Sequence, residues 1–421
     1  NGMPHNTGRL TSRSDSDYYK YDQYGNNPMV PLAPVGIIAM RGAADLSKEI
    51  NRALVDRRMA YLDEALPDEI TPGFLRDDFH IPVNTFRFSS GEGKAVIERT
   101  VRGHDLYIIC DVTNYSVTYN MRGFQNRMSP DDHYQDLKRI ILAASGKARR
   151  VNVIMPYLYE GRQHRRNARE SLDCAHMLEE LDQLGVDNFI TFDAHDDRVA
   201  NAVPTSGFEN VPTTYQVLER LIRAYPDIDF NNREMVMISP DEGAIFRTVY
   251  YASVLGLPLG TFYKRRDYTV VKNGRNPIIA HEFLGEPIAG RDVMIVDDMI
   301  SSGESMLEIA RTLKAGNARK IFCAATFGLF TDGLGSFDKA YEDGVIDAVF
   351  CTNLIYRPPE LLAAKWYKDV NASRFVALII DALNHNASLS SLLDPTAKIR
   401  KLLQAMDENK QAPNGTIDKD Q

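Results

Sequence analysis

The chain has 421 residues, of which 44% are apolar and 25% are charged, and its formal net charge is −8. This length exceeds one ordinary core and predicts two domains of roughly 150–200 residues each. The acidic balance argues against a general nucleic-acid binder, which usually carries a basic surplus. No apolar run is long enough to cross a bilayer, and the first residues lack the apolar segment of a secretory signal. We expect a cytoplasmic protein with neither nucleic-acid nor membrane partners.

The cysteines are far apart in the sequence, lie mostly within apolar runs and form no C-x-x-C pair; they are Cys110, Cys174, Cys323 and Cys351. This spacing suggests neither a zinc site nor a disulfide framework. Buried thiols in a reducing compartment are the expectation.

Residues 1–33 are polar and predict an extension outside the folded core. From residue 34 onward, short apolar runs alternate with helix-like stretches. The first unit spans residues 34–204 and has predicted helices at 44–60, 133–146 and about 171–184. Its predicted strands are residues 36–40, 105–110, 151–157 and 188–195.

The same alternation repeats after a stretch at 204–212 that Pro and Gly interrupt. The second unit spans residues 205–385, with residues 386–421 as a tail. Its predicted strands are residues 235–241, 259–266, 291–299, 320–327, 347–353 and 374–384. Nearly all-apolar strands that alternate with helices are typical of parallel sheets covered on both faces. The predicted fold class is therefore α/β, with two doubly wound parallel-sheet domains.

Ligands bind beyond the carboxyl ends of the strands in such sheets, so the polar residues there form the candidate site. The strand at 291–299 carries Asp297 and Asp298, which suit ribose hydroxyls because ionised carboxylates only accept hydrogen bonds. A loop then opens a helix, where backbone N–H groups and the helix dipole favour a phosphate. This loop consists of Ser301, Ser302, Gly303, Glu304 and Ser305. An ordinary serine N-cap explains the loop but not the two carboxylates.

Three other strand ends carry charge. Arg162 and Arg165 follow the strand at 151–157, and arginine forks suit polyphosphate oxygens, although a solvated charged face is the alternative. His195 lies among acidic residues, which makes it a candidate ligand of a hard cation, whereas an isolated histidine is more often structural. Asp241, at the end of the strand at 235–241, is either a metal ligand or a helix cap.

The segment at 293–305 resembles the phosphoribosyl pyrophosphate motif of type I phosphoribosyltransferases and ribose-phosphate diphosphokinases. Its loop departs from the usual Asp-Thr-Gly-Gly-Thr. Further segments are similar to diphosphokinase motifs and follow that family's order, at 87–97, 156–166, 191–197, 238–248 and 263–269. The chain therefore resembles the ribose-phosphate diphosphokinase (phosphoribosyl pyrophosphate synthetase) family, which implies two domains of the type I phosphoribosyltransferase kind.

The resemblance also implies the roles of the matching residues. ATP would be bound by an adenine turn and an arginine loop, through Phe88, Glu92, Arg162, Gln163, Arg165 and His195. The cofactor would be Mg²⁺, held by His195 and Asp241. Ribose 5-phosphate would be bound by Asp297, Asp298 and the loop 301–305. Catalysis would rest on the start of a flexible loop, with Lys264 and Arg266.

The reaction that the resemblance implies is attack by the 1-hydroxyl of ribose 5-phosphate on the β-phosphorus of ATP, with release of AMP. Because a neighbouring subunit completes the adenine pocket in that family, a dimer-based homo-oligomer is expected, with a hexamer as one option. Two alternatives stay open. A phosphoribosyltransferase that consumes phosphoribosyl pyrophosphate would explain the segment 293–305, but the first unit would have no function in that reaction. A non-catalytic regulatory subunit is supported by the altered loop, whereas the retention of Lys264, Arg266, His195 and the Asp297–Asp298 pair weighs against it.

Overall fold

The computed structural model describes residues 31–61, 71–231, 233–266 and 278–411. Most of the predicted N-terminal extension, the loop after residue 266 and the end of the tail lie outside the described residues. No helix in the described part of the chain combines the length and the apolar character needed to cross a bilayer. The four cysteines are buried and unpaired, as predicted.

The first half of the molecule is built on a parallel sheet with two small antiparallel hairpins beside it. Its strands are β1 (Val35–Ala39), β2 (Val83–Arg87), β3 (Gly93–Ile97), β4 (Asp105–Ile109), β5 (Thr118–Met121), β6 (Phe124–Arg127), β7 (Arg150–Ile154), β8 (Asn188–Phe192) and β9 (Gly207–Val211). Its helices are α1 (Ala44–Ala60), α2 (Pro130–Ala144) and α3 (Asp173–Gln183). The main sheet has the order β1-β4-β7-β8-β9, and the hairpins are β2-β3 and β5-β6.

The second half contains a larger sheet, with strands β10 (Met235–Ser239), β11 (Leu259–Arg266), β12 (Ile278–Leu284), β13 (Asp292–Ile300), β14 (Ile321–Gly328), β15 (Ala348–Thr352) and β16 (Tyr367–Val370). The helices from here on are α4 (Thr214–Ala224), α5 (Ile245–Leu255), α6 (Glu304–Ala315), α7 (Gly335–Glu342), α8 (Pro359–Ala363), α9 (Ser373–Asn384), α10 (Ser390–Leu393) and α11 (Thr396–Gln411). The strand order is β12-β11-β10-β13-β14-β15-β16, and only the β11–β12 pair is antiparallel among these described strands.

Apolar side chains cover both faces of each main sheet, which confirms the predicted fold class. In the first half, α1 packs on one face and α2 with α3 on the other. In the second half, α6 and α7 cover one face, while α4, α5 and α11 cover the other. The strand order of the second sheet reverses direction between β10 and β13. Such a reversal opens a crevice at the carboxyl ends of the two strands, which is where α/β sheets bind ligands.

The prediction of a strand at 374–384 is wrong, because these residues form helix α9. The helix packs against α1 and shares a core with Phe327 and Leu354 of the second half. Residues 375–380 form an unbroken apolar run, while Arg374, Asp381 and Asn384 lie on one side of the helix at helical spacing. A short apolar run of this kind is indistinguishable by periodicity from a buried strand.

The first sheet continues past residue 204, where the first unit was predicted to end. Strand β9 starts at Gly207 and pairs in parallel with β8 along its whole length. Helix α4, which follows at Thr214, packs its apolar face into the core of the second half instead. The chain therefore crosses from one sheet to the other after Val211, and the division into two domains itself stays a prediction.

A buried polar network joins α9 to the first half. The Asp381 carboxylate accepts hydrogen bonds from the Nε atoms of Arg57 (2.7 Å) and Arg58 (2.8 Å). Asn384 accepts from Arg58 through its amide oxygen and donates from Nδ2 to Asp105. Asp381 is only 2% exposed, and the two positive charges lower its pKa although burial opposes this. Because its partners are charged and buried, this single carboxylate stabilises the contact between the halves.

We expect Asp381→Ala to lower the free energy of unfolding by about 3–5 kcal/mol, because two arginines lose their shared counter-charge in a buried site. Urea denaturation followed by circular dichroism measures this. Asp343→Ala is the matched control, since Asp343 pairs with Lys339 at 3.7 Å on an exposed surface and should cost less than about 1 kcal/mol. Equal losses for the two variants would contradict the assigned role of Asp381.

Candidate active site

The carboxyl ends of strands from the two halves meet at one place. His195 follows β8 of the first sheet, and Asp298 lies near the end of β13 of the second. The His195 Nδ1–H donates a hydrogen bond of 2.8 Å to Oδ2 of Asp298. Because 103 positions separate these residues in the chain, the contact depends entirely on how the halves pack. We call this contact the junction. It places His195, a predicted nucleotide-binding residue, against Asp298, a predicted sugar-phosphate-binding residue.

Asp193 reinforces this junction through contacts with both halves. Its Oδ2 accepts hydrogen bonds from the backbone N–H (3.0 Å) and the hydroxyl (2.7 Å) of Thr213, just before α4. It also accepts a 2.6 Å bond from the hydroxyl of Thr326 on β14. Asp193 has a φ of 38°, in the left-handed region that Asp tolerates better than most residues. These three bonds hold the backbone turn that presents His195.

Arg247 of α5 supplies positive charge to the same place. Its Nε lies 4.0 Å from Oδ1 of Asp193, and its Nη1 lies 3.9 Å from Oδ1 of Asp298. The guanidinium is mostly buried between these two carboxylates. Its positive charge therefore offsets the negative charges of Asp193 and Asp298.

The adjacent carboxyls Asp297 and Asp298 have different environments. Burial raises the pKa of Asp298, but the hydrogen bond from His195 and the charge of Arg247 more than offset this and bring the pKa to about 2. Burial and the neighbouring charge of Asp298 raise the pKa of Asp297 well above its usual range. Asp298 is thus the ionised partner of His195, while Asp297 is the more basic carboxyl.

A pocket of about 230 Å³ opens beside His195 and includes Arg162 and Met299 among its lining residues. Arg162 and Arg165 are exposed, and the Gln163 amide donates to the Ser171 carbonyl at 2.7 Å. Gln163 therefore closes the loop that carries the arginines. Arg162 therefore lies beside His195. Gln163 instead makes its hydrogen bond within its own loop.

The predicted phosphate loop lies between β13 and α6. Gly303 is the residue before α6 and has a φ of 85°. A Cβ atom at this position would overlap the ring of Phe337. Ser301 and Ser302 are half-buried, while Glu304 and Ser305 are exposed in the first turn of α6. A carboxylate there stabilises the positive end of the helix dipole.

Five predicted residues have no described contact with this cluster. Oδ1 of Asp241 accepts from the backbone N–H groups of Gly243 (2.9 Å) and Ala244 (3.2 Å), so it closes the turn before α5 and does not cap the helix itself. Lys264 and Arg266 lie on β11, but their side chains are outside the described part. Phe88 is exposed in the turn between β2 and β3.

Glu92 lies in the same hairpin turn, where its carboxylate accepts a 2.9 Å bond from the Ser90 hydroxyl. Within the described residues, no hydrogen bond, ion pair or ring contact joins Phe88 or Glu92 to His195. Their predicted role in a pocket completed by a second subunit stays a prediction.

Sequence reasoning missed Arg247 and the threonines that hold Asp193. Arg247 lies in the first turn of the helix that follows β10, one side of the crevice, and this position is a signal that could have identified it. Thr213 and Thr326 carry no comparable signal, because only the packing of the halves brings them to Asp193.

Gly303→Ala should cost more stability than an ordinary glycine replacement at positive φ. Gly290→Ala is the matched control, since Gly290 has a φ of 74° and open space around its missing Cβ. The control should lose about 1–2 kcal/mol from backbone strain alone. Gly303→Ala should lose a further ~1–3 kcal/mol through its overlap with Phe337. Urea titrations measure both, and equal losses would contradict the packed loop.

The hydrogen bond to Asp298 raises the pKa of His195 above its ordinary value of 6.5, although burial opposes it. In metal-free protein, Asp298→Asn should therefore lower the His195 pKa, as measured by NMR titration of the imidazole proton. The raised pKa means that this pair stabilises the fold at low pH and that the contribution is lost as pH rises through the His195 pKa.

Asp197→Asn is the control for that titration, because Asp197 is an exposed carboxylate two residues from His195. It should leave the His195 pKa nearly unchanged. An Asp298→Asn variant with the wild-type pKa would show that the hydrogen bond does not form in solution.

Most of the chain is similar to proteins of one known family. Residues 35–185 match the model of the N-terminal domain of ribose phosphate pyrophosphokinase, and residues 205–351 match the phosphoribosyl transferase domain. A ribose-phosphate pyrophosphokinase of Mycoplasma pneumoniae is 31% identical over 277 residues, 64% of this chain and 74% of that protein. One from Vibrio cholerae is 29% identical over 319 residues, 73% and 90% of the two chains.

A solved structure supports the fold. Phosphoribosylpyrophosphate synthetase from Mycobacterium smegmatis superposes with a TM-score of 0.65 at 18% identity, over 84% of this chain and all of that one. The two family models and the Mycoplasma pneumoniae relative confirm the sequence resemblance to diphosphokinases, and the chain belongs to the ribose-phosphate pyrophosphokinase family.

Proposed function

We propose that this chain transfers the diphosphate of ATP to the 1-hydroxyl of ribose 5-phosphate, giving phosphoribosyl pyrophosphate and AMP. The observation that carries the proposal is the 2.8 Å hydrogen bond between His195 and Asp298. It joins the strand end that carries the nucleotide motif to the strand end that carries the sugar-phosphate motif. A phosphoribosyltransferase would need only the second of these.

The polyphosphate of ATP would lie along the pocket beside His195. Arg162 lines that pocket and is exposed, so its guanidinium is available to phosphate oxygens in a bidentate manner. Arg247 adds a second positive charge at the inner end of the junction. Arg165 would contribute from the exposed side of the same loop.

The 5-phosphate of the sugar would be bound by the loop 301–305 at the start of α6. Backbone N–H groups at a helix start and the hydroxyls of Ser301, Ser302 and Ser305 suit a phosphate. The two carboxyls before the loop would have different roles. Asp298 already accepts from His195, so Asp297 is the better placed of the two to hydrogen-bond a ribose hydroxyl.

The donor set fits Mg²⁺ brought in with the nucleotide. Within the described residues, no three His, Cys, Asp or Glu side chains are arranged to hold a metal ion. Mg²⁺ commonly takes one or two protein ligands and completes its shell with water and substrate phosphates. A ligating histidine usually donates its other ring N–H to a carboxylate, as His195 does to Asp298. His195 would hold the ion, which would neutralise phosphate charge, and Asp241 stays a predicted second ligand.

In the transfer, O1 of the sugar would lose its proton to water and form a bond to the β-phosphorus, while the bond from that phosphorus to the α–β bridging oxygen breaks, so that AMP leaves with the bridging oxygen. Such a step needs positioning and charge neutralisation more than covalent help. The arginines would hold the polyphosphate and the loop 301–305 the sugar phosphate. Lys264 and Arg266 would stabilise the negative charge that develops on the transferred group.

The direct test is incubation of the purified chain with ATP, Mg²⁺ and ribose 5-phosphate, with AMP measured by chromatography. We expect AMP and phosphoribosyl pyrophosphate in equal amounts without any nucleobase. A requirement for a nucleobase and consumption of phosphoribosyl pyrophosphate would favour the transferase alternative. Absence of AMP from the chain alone, with activity restored or altered in a partner chain, would favour a regulatory subunit, as the altered loop 301–305 allows.

Lys264→Ala should reduce kcat roughly 10²–10³-fold, because one well-placed donor to transition-state charge is typically worth about 3–4 kcal/mol. Lys339→Ala is the control, since that lysine is 77% exposed on α7 and pairs only loosely with Asp343. It should retain wild-type kcat. An active Lys264→Ala variant would remove this residue from the proposed catalytic set.

We propose that the chain forms a homo-oligomer in which the β2–β3 hairpin contacts the adenine of a neighbouring subunit. Phe88 is 52% exposed in the turn, as such a contact requires. Phe88→Ala should then weaken ATP binding while ribose 5-phosphate binding is unchanged, as measured by calorimetry. Leu142→Ala, which removes an equally exposed apolar side chain from α2, should change neither. Unchanged nucleotide affinity in Phe88→Ala would contradict the shared pocket.

A further inference from the structure

The β5–β6 hairpin, residues 118–127, lies outside both main sheets. It contacts the turn 88–92 between β2 and β3, which carries Phe88 and to which the proposed function assigns the contact with adenine. The proposed reaction gives the hairpin itself no role.

Two contacts join the tip of the hairpin to this turn. The backbone N–H of Arg122 donates a hydrogen bond of 2.8 Å to the carbonyl of Ser89. A Cβ atom added at Gly91 would lie 2.6 Å from Sδ of Met121, so the methionine packs directly against the backbone of the turn. The tip therefore holds the turn at two of its five positions.

The hairpin is itself held by the first half of the molecule. The guanidinium of Arg87, the last residue of β2, lies 5.1 Å from the centre of the Tyr119 ring on β5. Nη1 of Arg87 also donates to Oδ1 of Asp136 on α2 at 2.7 Å. At the start of β5, Nη2 of Arg41 donates to the Thr118 carbonyl at 2.7 Å. These contacts give the hairpin a fixed place beside the turn.

The turn has little stabilising structure of its own. Every residue of 88–92 except Gly91 is exposed. Two backbone hydrogen bonds lie within the turn, from the Phe88 N–H to the Glu92 carbonyl (2.7 Å) and from the Gly91 N–H to the Phe88 carbonyl (2.9 Å). An exposed segment with so few buried contacts opens easily, and only the fraction in the binding conformation contributes to affinity.

We propose that the β5–β6 hairpin is a positioning element that keeps the turn 88–92 in the conformation that contacts adenine. Met121 is its central positioning residue, because its side chain packs on the turn backbone. The inference rests on the proposed function, which assigns the adenine contact to this turn. It adds that the affinity for ATP depends on a hairpin whose own side chains act through the turn.

Removal of the hairpin tests the proposal. The Met128 N–H donates to the Val117 carbonyl at 2.8 Å, so the two ends adjoin and Gly-Gly can replace residues 118–127. Hydrogen exchange followed by mass spectrometry should then show faster exchange of the amides of 88–92. Calorimetry should show a Kd for ATP that is roughly 3–10-fold higher, because the binding conformation is less populated. Ribose 5-phosphate affinity and kcat at saturating ATP should change little, whereas a general loss of structure would affect both.

Met121→Ala tests the same claim with the hairpin in place, should the excised variant fail to fold. It should change the exchange of the turn and the Kd for ATP in the same direction, by a smaller factor. Asn120→Ala is the matched control, since Asn120 has an exposed side chain on the same strand and should alter neither. Thermal melts check that each variant is folded.

Unchanged exchange of the turn, or an unchanged Kd for ATP, in the folded hairpin variants would overturn the inference. The Phe88→Ala variant separates this failure from that of the proposed adenine contact. If Phe88→Ala weakens ATP binding and the hairpin variants do not, the inference fails and the contact stands. Unchanged ATP affinity in Phe88→Ala would overturn both.

Discussion

The burial of helix α9 between the two halves is the constraint on which the site depends. Its apolar side chains share one core with α1, with Phe327 of β14 and with Leu354. Asp381 then holds two arginines of α1 in the same contact. Because side chains at this contact are close-packed and charge-paired, the halves have one relative orientation. That orientation brings the carboxyl end of β8 to the carboxyl end of β13, where His195 meets Asp298.

The two carboxylates Asp298 and Asp193 each have donors or charged partners at this junction. Asp298 is 3% exposed, yet it stays ionised because His195 and Arg247 lie against it. Asp193 is held by hydroxyl and backbone donors from beyond its own strand. Perturbed pKa values with specific charged partners are typical of functional sites. The same contacts that join the halves therefore concentrate charged side chains at the junction, where the proposed function assigns sugar binding to Asp297.

Local patterns predicted the alternation of strands and helices and the residues at strand ends, since these depend on neighbours in the sequence. Asp297 and Asp298 follow an apolar run, and His195 follows another. Features that depend on packing between distant segments could not be predicted from these local patterns. Helix α9 is covered by both halves and contains the unbroken apolar run 375–380, and so it resembled a strand. Likewise, nothing in the segment 293–305 indicates that Asp298 is already paired with His195 or that Arg247 lies beside it.

The claim that both halves form one catalytic site is tested most directly by a double-mutant cycle on His195→Asn and Asp298→Asn, with kcat/KM for diphosphate transfer as the readout. Residues that act as a pair show coupling of about 0.5–3 kcal/mol, whereas independent residues more than about 7–10 Å apart are additive. The account predicts that the double variant loses clearly less activity than the product of the two single losses. Strict additivity of the two losses would contradict it.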